Sequence, residues 1–317
     1  MGVNKTAFIC GVTGQDGSYL AKLLIGKGYE VWGSSRDAQG NNTANLLALG
    51  IQHNVRLVSM WPEDFRSVFV ALNNAKPTEI YYLAGQSSVG LSFEQPAETI
   101  ESIVLGTLNV LEACRLLAYP VRLYHAGSSE CFGDVNGLPA SELTPFHPKS
   151  PYAVAKSSAH WLIDSYRDAY SLYACTGILF NHESPLRPAR FVTKKIIAAA
   201  QRISAGSNEK LNLGRLDIGR DWGWAPEYVE AMWLMLQQDK PQDFVVATGE
   251  TNTLAEFVHQ AFDLFGLNWK DHVIQDTTLF RPSDILVNRA DPSKAEKVLG
   301  WKAKNKMKDV IRQMALQ

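Results

Sequence analysis

Thr6-Ala7-Phe8-Ile9-Cys10-Gly11-Val12-Thr13-Gly14-Gln15-Asp16-Gly17 is the stretch that decides the fold. Thr6 to Cys10 is a short apolar run and reads as a buried strand. Three glycines follow as G-x-x-G-x-x-G, and Ser18 to Ile25 then carries apolar residues at helical intervals. Gly28 to Gly33 reads as a turn and a second strand. Strand, glycine loop, helix and strand form the setting in which a glycine pattern carries meaning. Glycines allow the tight turn, let the backbone approach a pyrophosphate and let the helix pack close. The helix N-terminus then faces the phosphate charge. Beyond the second strand comes Ser34-Ser35-Arg36-Asp37. An acidic residue here suits the ribose 2′-hydroxyl of NAD, and an arginine suits the 2′-phosphate of NADP. Arg36 and its serines favour NADP, with Asp37 as the counter-indication.

The pattern continues outward. Val55–Ser59, Glu79–Ala84, Val121–Ala126 and Cys175–Phe180 read as further strands. Helices are expected over Phe65–Ala75, Ala97–Leu117 and from Tyr152 to about Ser171, with loops at Asn41/Asn42 and Gly133–Lys149. Alternation of this kind predicts a doubly wound parallel sheet. Ligands then bind beyond the carboxyl ends of the strands. The glycine loop, Ala84 to Ser88, Ser128 to Glu130 and Asn181 to Pro185 all fall there. After Leu186, Arg187, Arg190, Lys194 and Lys195 cluster before a helix expected at Ile196–Ala205, and Arg215, Arg220 and Arg281 add positive charge. Arginines there suit a diphosphate. Phe244–Thr248 reads as a late strand. Glu227–Gln238 and Leu254–Phe265 read as helices, and Pro292–Leu299 as a short C-terminal one.

The chain has 317 residues, 46% hydrophobic and 20% charged, with a net charge of −1. That is enough for one or two domains, and the balance points away from nucleic acid and anionic membranes. No stretch approaches the ~18 apolar residues of a membrane span. Cys10, Cys114, Cys131 and Cys175 show no C-x-x-C or zinc spacing, so buried free thiols in a reducing cytoplasm, and no metal, are expected. The start lacks the layout of a signal peptide. Met1 to Thr6 fits the myristoylation pattern, but the first strand leaves little free tail.

Ser150-Pro151-Tyr152-Ala153-Val154-Ala155-Lys156 reads as a helix start, with Ser150 as N-cap and Pro151 at the first position. Tyr152 and Lys156 are i and i+4 and share a face. An ammonium one turn away lowers a phenol's pKa, which makes Tyr152 a candidate base for a sugar hydroxyl.

The glycine loop, Arg36, Ser128/Glu130 and Tyr152/Lys156, in this order, resemble the extended short-chain dehydrogenase/reductase family. Gly14 to Leu20, Ser129-Glu130, Leu179 to Pro185, Phe191 to Thr193, Arg220-Asp221-Trp222-Gly223 and Tyr228 to Gln237 resemble its GDP-mannose 4,6-dehydratases, over nearly the whole chain. The resemblance implies a Rossmann-type doubly wound sheet with a smaller C-terminal substrate-binding lobe. The NADP-binding domain would span 1–185, with returning elements about 221–250, and the nucleotide-sugar lobe mainly 186–317. Gly11, Gly14, Gln15, Asp16, Gly17, Arg36, Leu83, Ala84, Gly85, Ser87, His182 and Arg187 would hold NADP beside Tyr152 and Lys156. Ser128, Glu130, Tyr152 and Lys156 match catalytic positions. Ser87, Ser128, Ser129, Asn181, Lys195, Arg220 and Arg281 would hold a GDP-sugar. A homodimer or homotetramer is implied. This chain has Ser128 where the family usually has Thr. Its segment from Ser34 to Asn45 lacks the double arginine that helps build a tetramer, and Val58-Ser59-Met60 stands where the family shows an Asp near the adenine.

The implied chemistry is internal: oxidation at C4, loss of water across C5 and C6, and return of the hydride to C6. Glu130 discriminates, because a 4-epimerase or 4-keto reductase needs no acid/base at C5. In an extended strand tip Ser128 and Glu130 would point to the same side. The residues leave open a GDP-manno-heptose substrate, those two other activities, and a non-catalytic NADP-sensing protein.

Overall fold

The strand β1 (Thr6–Cys10) lies inside a seven-stranded parallel sheet in the computed structural model, which describes residues 5–40, 43–135 and 137–316. To one side run β2 (Glu30–Ser35) and β3 (Val55–Ser59). To the other run β4 (Glu79–Tyr82), β5 (Arg122–Ala126) and β6 (Tyr173–Leu179). Four short strands follow: β7 (Asn181–Glu183), β8 (Leu211–Leu213), β9 (Gly219–Arg220) and β10 (Trp222–Trp224). Then β11 (Phe244–Val246) returns to the sheet beside β6. The order is β3-β2-β1-β4-β5-β6-β11, as expected for a doubly wound sheet. Consecutive strands run outward from β1 in one direction and from β4 in the other. That junction is where a crevice opens at the carboxyl ends. Outside the sheet, β7 pairs with β10, β12 (Asn252–Thr253) with β9, and β13 (Val273–Gln275) with β8.

Helices cover both faces, which is why β1, β4, β6 and β11 are largely apolar and buried. The first are α1 (Gln15–Gly26), α2 (Ala44–Ala48), α3 (Phe65–Ala75), α4 (Val89–Glu94), α5 (Pro96–Ile100) and α6 (Gly106–Leu116). Next come α7 (Pro151–Tyr170), α8 (Val192–Ser204), α9 (Ala225–Met235), α10 (Leu254–Asp263) and α11 (Met307–Ala315). Leu20 and Leu24 of α1 meet Met232 and Met235 of α9 on one face. Val68 of α3, Val110 of α6 and Ile163 of α7 share the core of the other. A separate core joins Ile196 of α8, Phe257 of α10 and Val310 of α11. All four cysteines are free and buried. Among the described residues no helix is long and apolar enough to cross a membrane.

Several elements differ from the sequence reading. α1 starts at Gln15, ahead of Ser18, because Gly14 takes the N-cap and Gly17 enters the helix. A Cβ on Gly17 would overlap the Gly11 carbonyl, so only glycine lets this turn close. α8 takes in Lys194 and Lys195, which were expected before it. The expected helix Ala97–Leu117 is present over 96–116, with a π-helical stretch at Glu101–Leu105 in its middle. Tyr82 Oη donates to the Ser102 carbonyl there at 3.0 Å, and Gly106 leaves room for the phenol. The short helix expected at Pro292–Leu299 is present over 293–299, with a π-helical stretch at Ala295–Leu299, and a further helix, α11, follows it. Its apolar Met307, Val310, Ile311 and Met314 follow helical spacing, a signal the reading passed over. Asn41, Asn42, Asn136 and Met1 to Asn4 lie outside the described residues.

Candidate active site

The glycine loop and the loop after β4 meet at the β1/β4 junction. Gly11 has φ +83, and a Cβ there would crowd Ala84 Cα at 3.2 Å. Gly85 has φ +125, and its Cβ would press on Ile103 in the π-helical turn at 3.1 Å. No side chain caps α1, so its leading N–H groups face the crevice without a side-chain partner. An uncapped helix end beside an open glycine turn fits a pyrophosphate.

Behind this loop the first helix is tied to the tip of β6 and β7. Gln15 Nε2 donates to the His182 carbonyl at 3.2 Å, and Ser184 Oγ donates to Gln15 Oε1 at 2.8 Å. His182 Nε2 lies 2.8 Å from Asp16 Oδ2, and its Nδ1 lies 2.7 Å from the Phe180 carbonyl. Burial opposes charge on both groups, but their mutual attraction outweighs it. Asp16 sits below its ordinary range and His182 above. Arg187 stacks on Phe191 at 3.8 Å and pairs with Glu183 at 3.1 Å.

Arg36 is exposed at the end of β2. Asp37 next to it accepts from Gln39 N and Gly40 N, both at 3.0 Å, so its carboxylate closes its own turn. Ser59 Oγ, where the family shows Asp, accepts from Ala38 N at 3.0 Å and holds the same loop.

The catalytic candidates come together where β5 ends over the start of α7. Ser150 Oγ accepts from Ala153 N at 3.1 Å and Pro151 occupies the first turn, as expected. Tyr152 and Lys156 are both buried. Burial raises the Tyr152 phenol; a hydrogen bond with Ser128 pulls it down, and Glu130 pushes it up. The expected lowering by Lys156 is not seen. The ammonium donates to the Ala126 carbonyl at 2.7 Å and lies 5.9 Å from the centre of the phenol ring. Burial lowers Lys156 itself to about 8.

Ser128 and Glu130 do not lie in an extended tip. Ser129–Phe132 is a 3-10 turn with Ser128 as N-cap, and Ser128 Oγ accepts from Glu130 N at 3.3 Å. A turn, not strand alternation, therefore brings both side chains to Tyr152. Glu130 also faces Arg220, whose charge it favours.

Arg220 is almost fully buried and largely committed. Its Nη1 donates to the Gly219 and Ile285 carbonyls at 2.9 and 2.8 Å, and its Nη2 to Asp284 Oδ1 at 3.1 Å. Arg281 reaches the same Asp284 oxygen at 3.6 Å. Asn288, fully buried, donates to Ser129 Oγ at 3.0 Å. The sequence reading missed Asp284 and Asn288; neither sits in a periodic or motif position. Asn181 is half-buried opposite Trp222, while Ser87 and Lys195 are exposed.

Comparison with known proteins identifies the family. The family described as GDP-mannose 4,6 dehydratase matches residues 8–314. GDP-mannose 4,6 dehydratase 1 of Arabidopsis thaliana is 48% identical, over 98% of this chain and 88% of its own. The Homo sapiens GDP-mannose 4,6 dehydratase is 42% identical, over 98% and 90%. Among solved structures, a Thermus thermophilus UDP-glucose 4-epimerase complex with NAD superposes with a TM-score of 0.86 at 26% identity, over 98% and 97%. The Pseudomonas aeruginosa protein RMD complexed with NADPH does so at 0.80 and 21%, over 99% and 98%, which supports the fold alone. The chain belongs to the GDP-mannose 4,6-dehydratase family.

Proposed function

We propose that this enzyme converts GDP-mannose to GDP-4-keto-6-deoxymannose with NADP as resident cofactor. The observation that carries the reading is Glu130 in one cluster with Ser128 and Tyr152, since a carboxylate is the added group that elimination requires. Gly11, Gly14 and Gly17 at the uncapped α1 would hold the pyrophosphate, and Arg36 the 2′-phosphate. Held there, NADP would supply the hydride acceptor and donor that link C4 and C6 of the sugar.

The chain's own residues do the rest. Tyr152 as phenolate takes the proton from the C4 hydroxyl, and Lys156 offsets the phenolate charge before the transfer. Ser128 donates to the C4 oxygen as charge develops. The ketone acidifies the C5 hydrogen. Glu130 removes it as a proton and passes a proton to the departing C6 hydroxyl, which leaves as water. Arg220 sets a positive charge opposite Glu130. Arg281 and Lys195 supply positive charge toward the diphosphate.

The exposed apolar residues Ile100, Leu105, Val154 and Trp161 suit the seat of a second copy, so the working form is at least a dimer. Four buried free thiols suit the reducing cytoplasm. Mass spectrometry of GDP-mannose incubated with the protein and NADP⁺ tests the reading. A product lighter by one water is expected. Unchanged mass with an altered sugar configuration would point to epimerisation and overturn it.

A further inference from the structure

Behind Lys156 lies a layer of polar side chains that the chemistry above does not use. His125 on β5 is fully buried, and neither ring nitrogen has a hydrogen-bond partner among the described residues. Thr176, its register partner on β6, is fully buried with an unpartnered hydroxyl. Both face α7: Leu123 and Ala174, two residues before them, share a core cluster with Ile163. On α7, Lys156, His160 and Ile163 fall at i, i+4 and i+7, one stripe over these strands. The His160 Nδ1 is buried and unpartnered too. Lys156 Nζ is fixed to the carbonyl of Ala126, the residue next to His125.

Four orphaned polar atoms thus share one interlayer beside the catalytic ammonium. Buried polar atoms without a protein partner are costly unless water satisfies them. The charged and titratable groups around it are few. Lys156 and His160 face His125 from α7, and the Tyr82 ring stacks on it from β4 at 6.2 Å. Asp164, Arg167 and Asp243 surround His160, which is only partly buried. Burial holds both imidazoles neutral, the state in which one ring nitrogen accepts a proton as the other gives one.

We propose that His125, with buried water held between Thr176 and His160, forms a rear proton route from the Tyr152–Lys156 pair to the outer end of α7. His125 is a positioning residue that acts through Lys156. The proposal rests on the dehydratase reading. In each turnover Tyr152 gains the proton of the C4 hydroxyl, and C5 must regain one in the product. One proton leaves along Lys156, His125 and His160, and one enters from solvent through Glu130, so the reaction releases none.

Two measurements test this once wild-type turnover is established, so failure here leaves the dehydratase reading standing. A high-resolution crystal structure of the wild type is expected to show ordered water bonded to His125 and Thr176; a dry interlayer overturns the route. Kinetically, His125→Leu should lower kcat on the order of tenfold, less than loss of a general base itself, with KM nearly unchanged. It should also enlarge the solvent deuterium isotope effect and shift the pH profile of kcat. His125→Gln, which keeps a hydrogen-bonding side chain but cannot relay a proton, should keep the fold and still lose rate; a folded His125→Gln with wild-type kcat and isotope effect also overturns the route. A folded His125→Leu with wild-type kcat, isotope effect and pH profile overturns the proposal. If that variant does not fold, His125→Gln and the crystal structure decide it.

Discussion

His182 Nε2 and Asp16 Oδ2 stand 2.8 Å apart, joining β7 to the first turn of α1. The pair links the two segments expected to meet cofactor and sugar. Its contribution depends on pH from both sides. His182 is raised, so its share is present below its ordinary 6.5 and lost as pH rises through the folded value. Asp16 is lowered, so its share is present above its ordinary 3.8 and lost as pH falls through the folded value. His182→Leu should therefore cost about 1–3 kcal/mol in mildly acidic solution, as for a buried group left unpaired. The gap to wild type should narrow on the alkaline side. Urea melts across this range read it; a pH-independent gap would contradict the ion pair.

Lys156 gives the opposite slope. Its folded value, about 8, is below its ordinary 10.5, so between these the unfolded chain binds more protons. Burial of the ammonium is a penalty that is relieved as pH rises through that window. Wild-type stability should climb by up to about 1.4 kcal/mol per pH unit relative to Lys156→Met, which lacks the group. Parallel stability curves for the two proteins from pH 8 upward would refute it.

Glu130→Gln keeps the shape and removes the base. Product formation should fall about 10²–10⁴-fold. Oxidation at C4 should survive, visible as reduced-cofactor absorbance in a single turnover. Solvent deuterium should enter C5 in the wild type and not in the variant. Product at the wild-type rate would favour an epimerase or reductase reading.

Asp37 is bound up in its own turn, which leaves Arg36 as the group at the end of β2 able to meet a 2′-phosphate. Arg36→Ala should weaken NADP binding by about 1.5–3 kcal/mol, the usual worth of a charged hydrogen bond. NAD binding should change little. Titration of both cofactors measures this, and equal losses would sink the role.

Trp161 on α7 is 58% exposed and Val154, seven residues earlier, 45%. A second copy covering that face would make sedimentation report at least a dimer at micromolar protein. Trp161→Glu should shift it toward monomer, because an interface core tolerates an unpaired carboxylate poorly. A wild-type monomer would rule the association out.

The sequence by itself determined what neighbours along the chain decide. The apolar run Thr6–Cys10, the glycines at 11, 14 and 17, and the Ser150-Pro151 start of α7 are local, and each appears where its pattern puts it. Strand alternation was likewise legible, because both faces of a parallel sheet must be apolar. The α11 pattern was equally local and simply unread. Tertiary structure decided the rest. Asp284 holds Arg220 across 64 residues, and Asn288 holds Ser129 across 159. Tyr82 braces the π-helical turn through Ser102. Burial raises Tyr152 although Lys156 lies one turn away. Partners so distant in sequence leave no periodicity, and desolvation depends on what the folded chain places around a group. The candidate site residues come from motifs local in the sequence; what holds and charges them arises only where distant segments pack together.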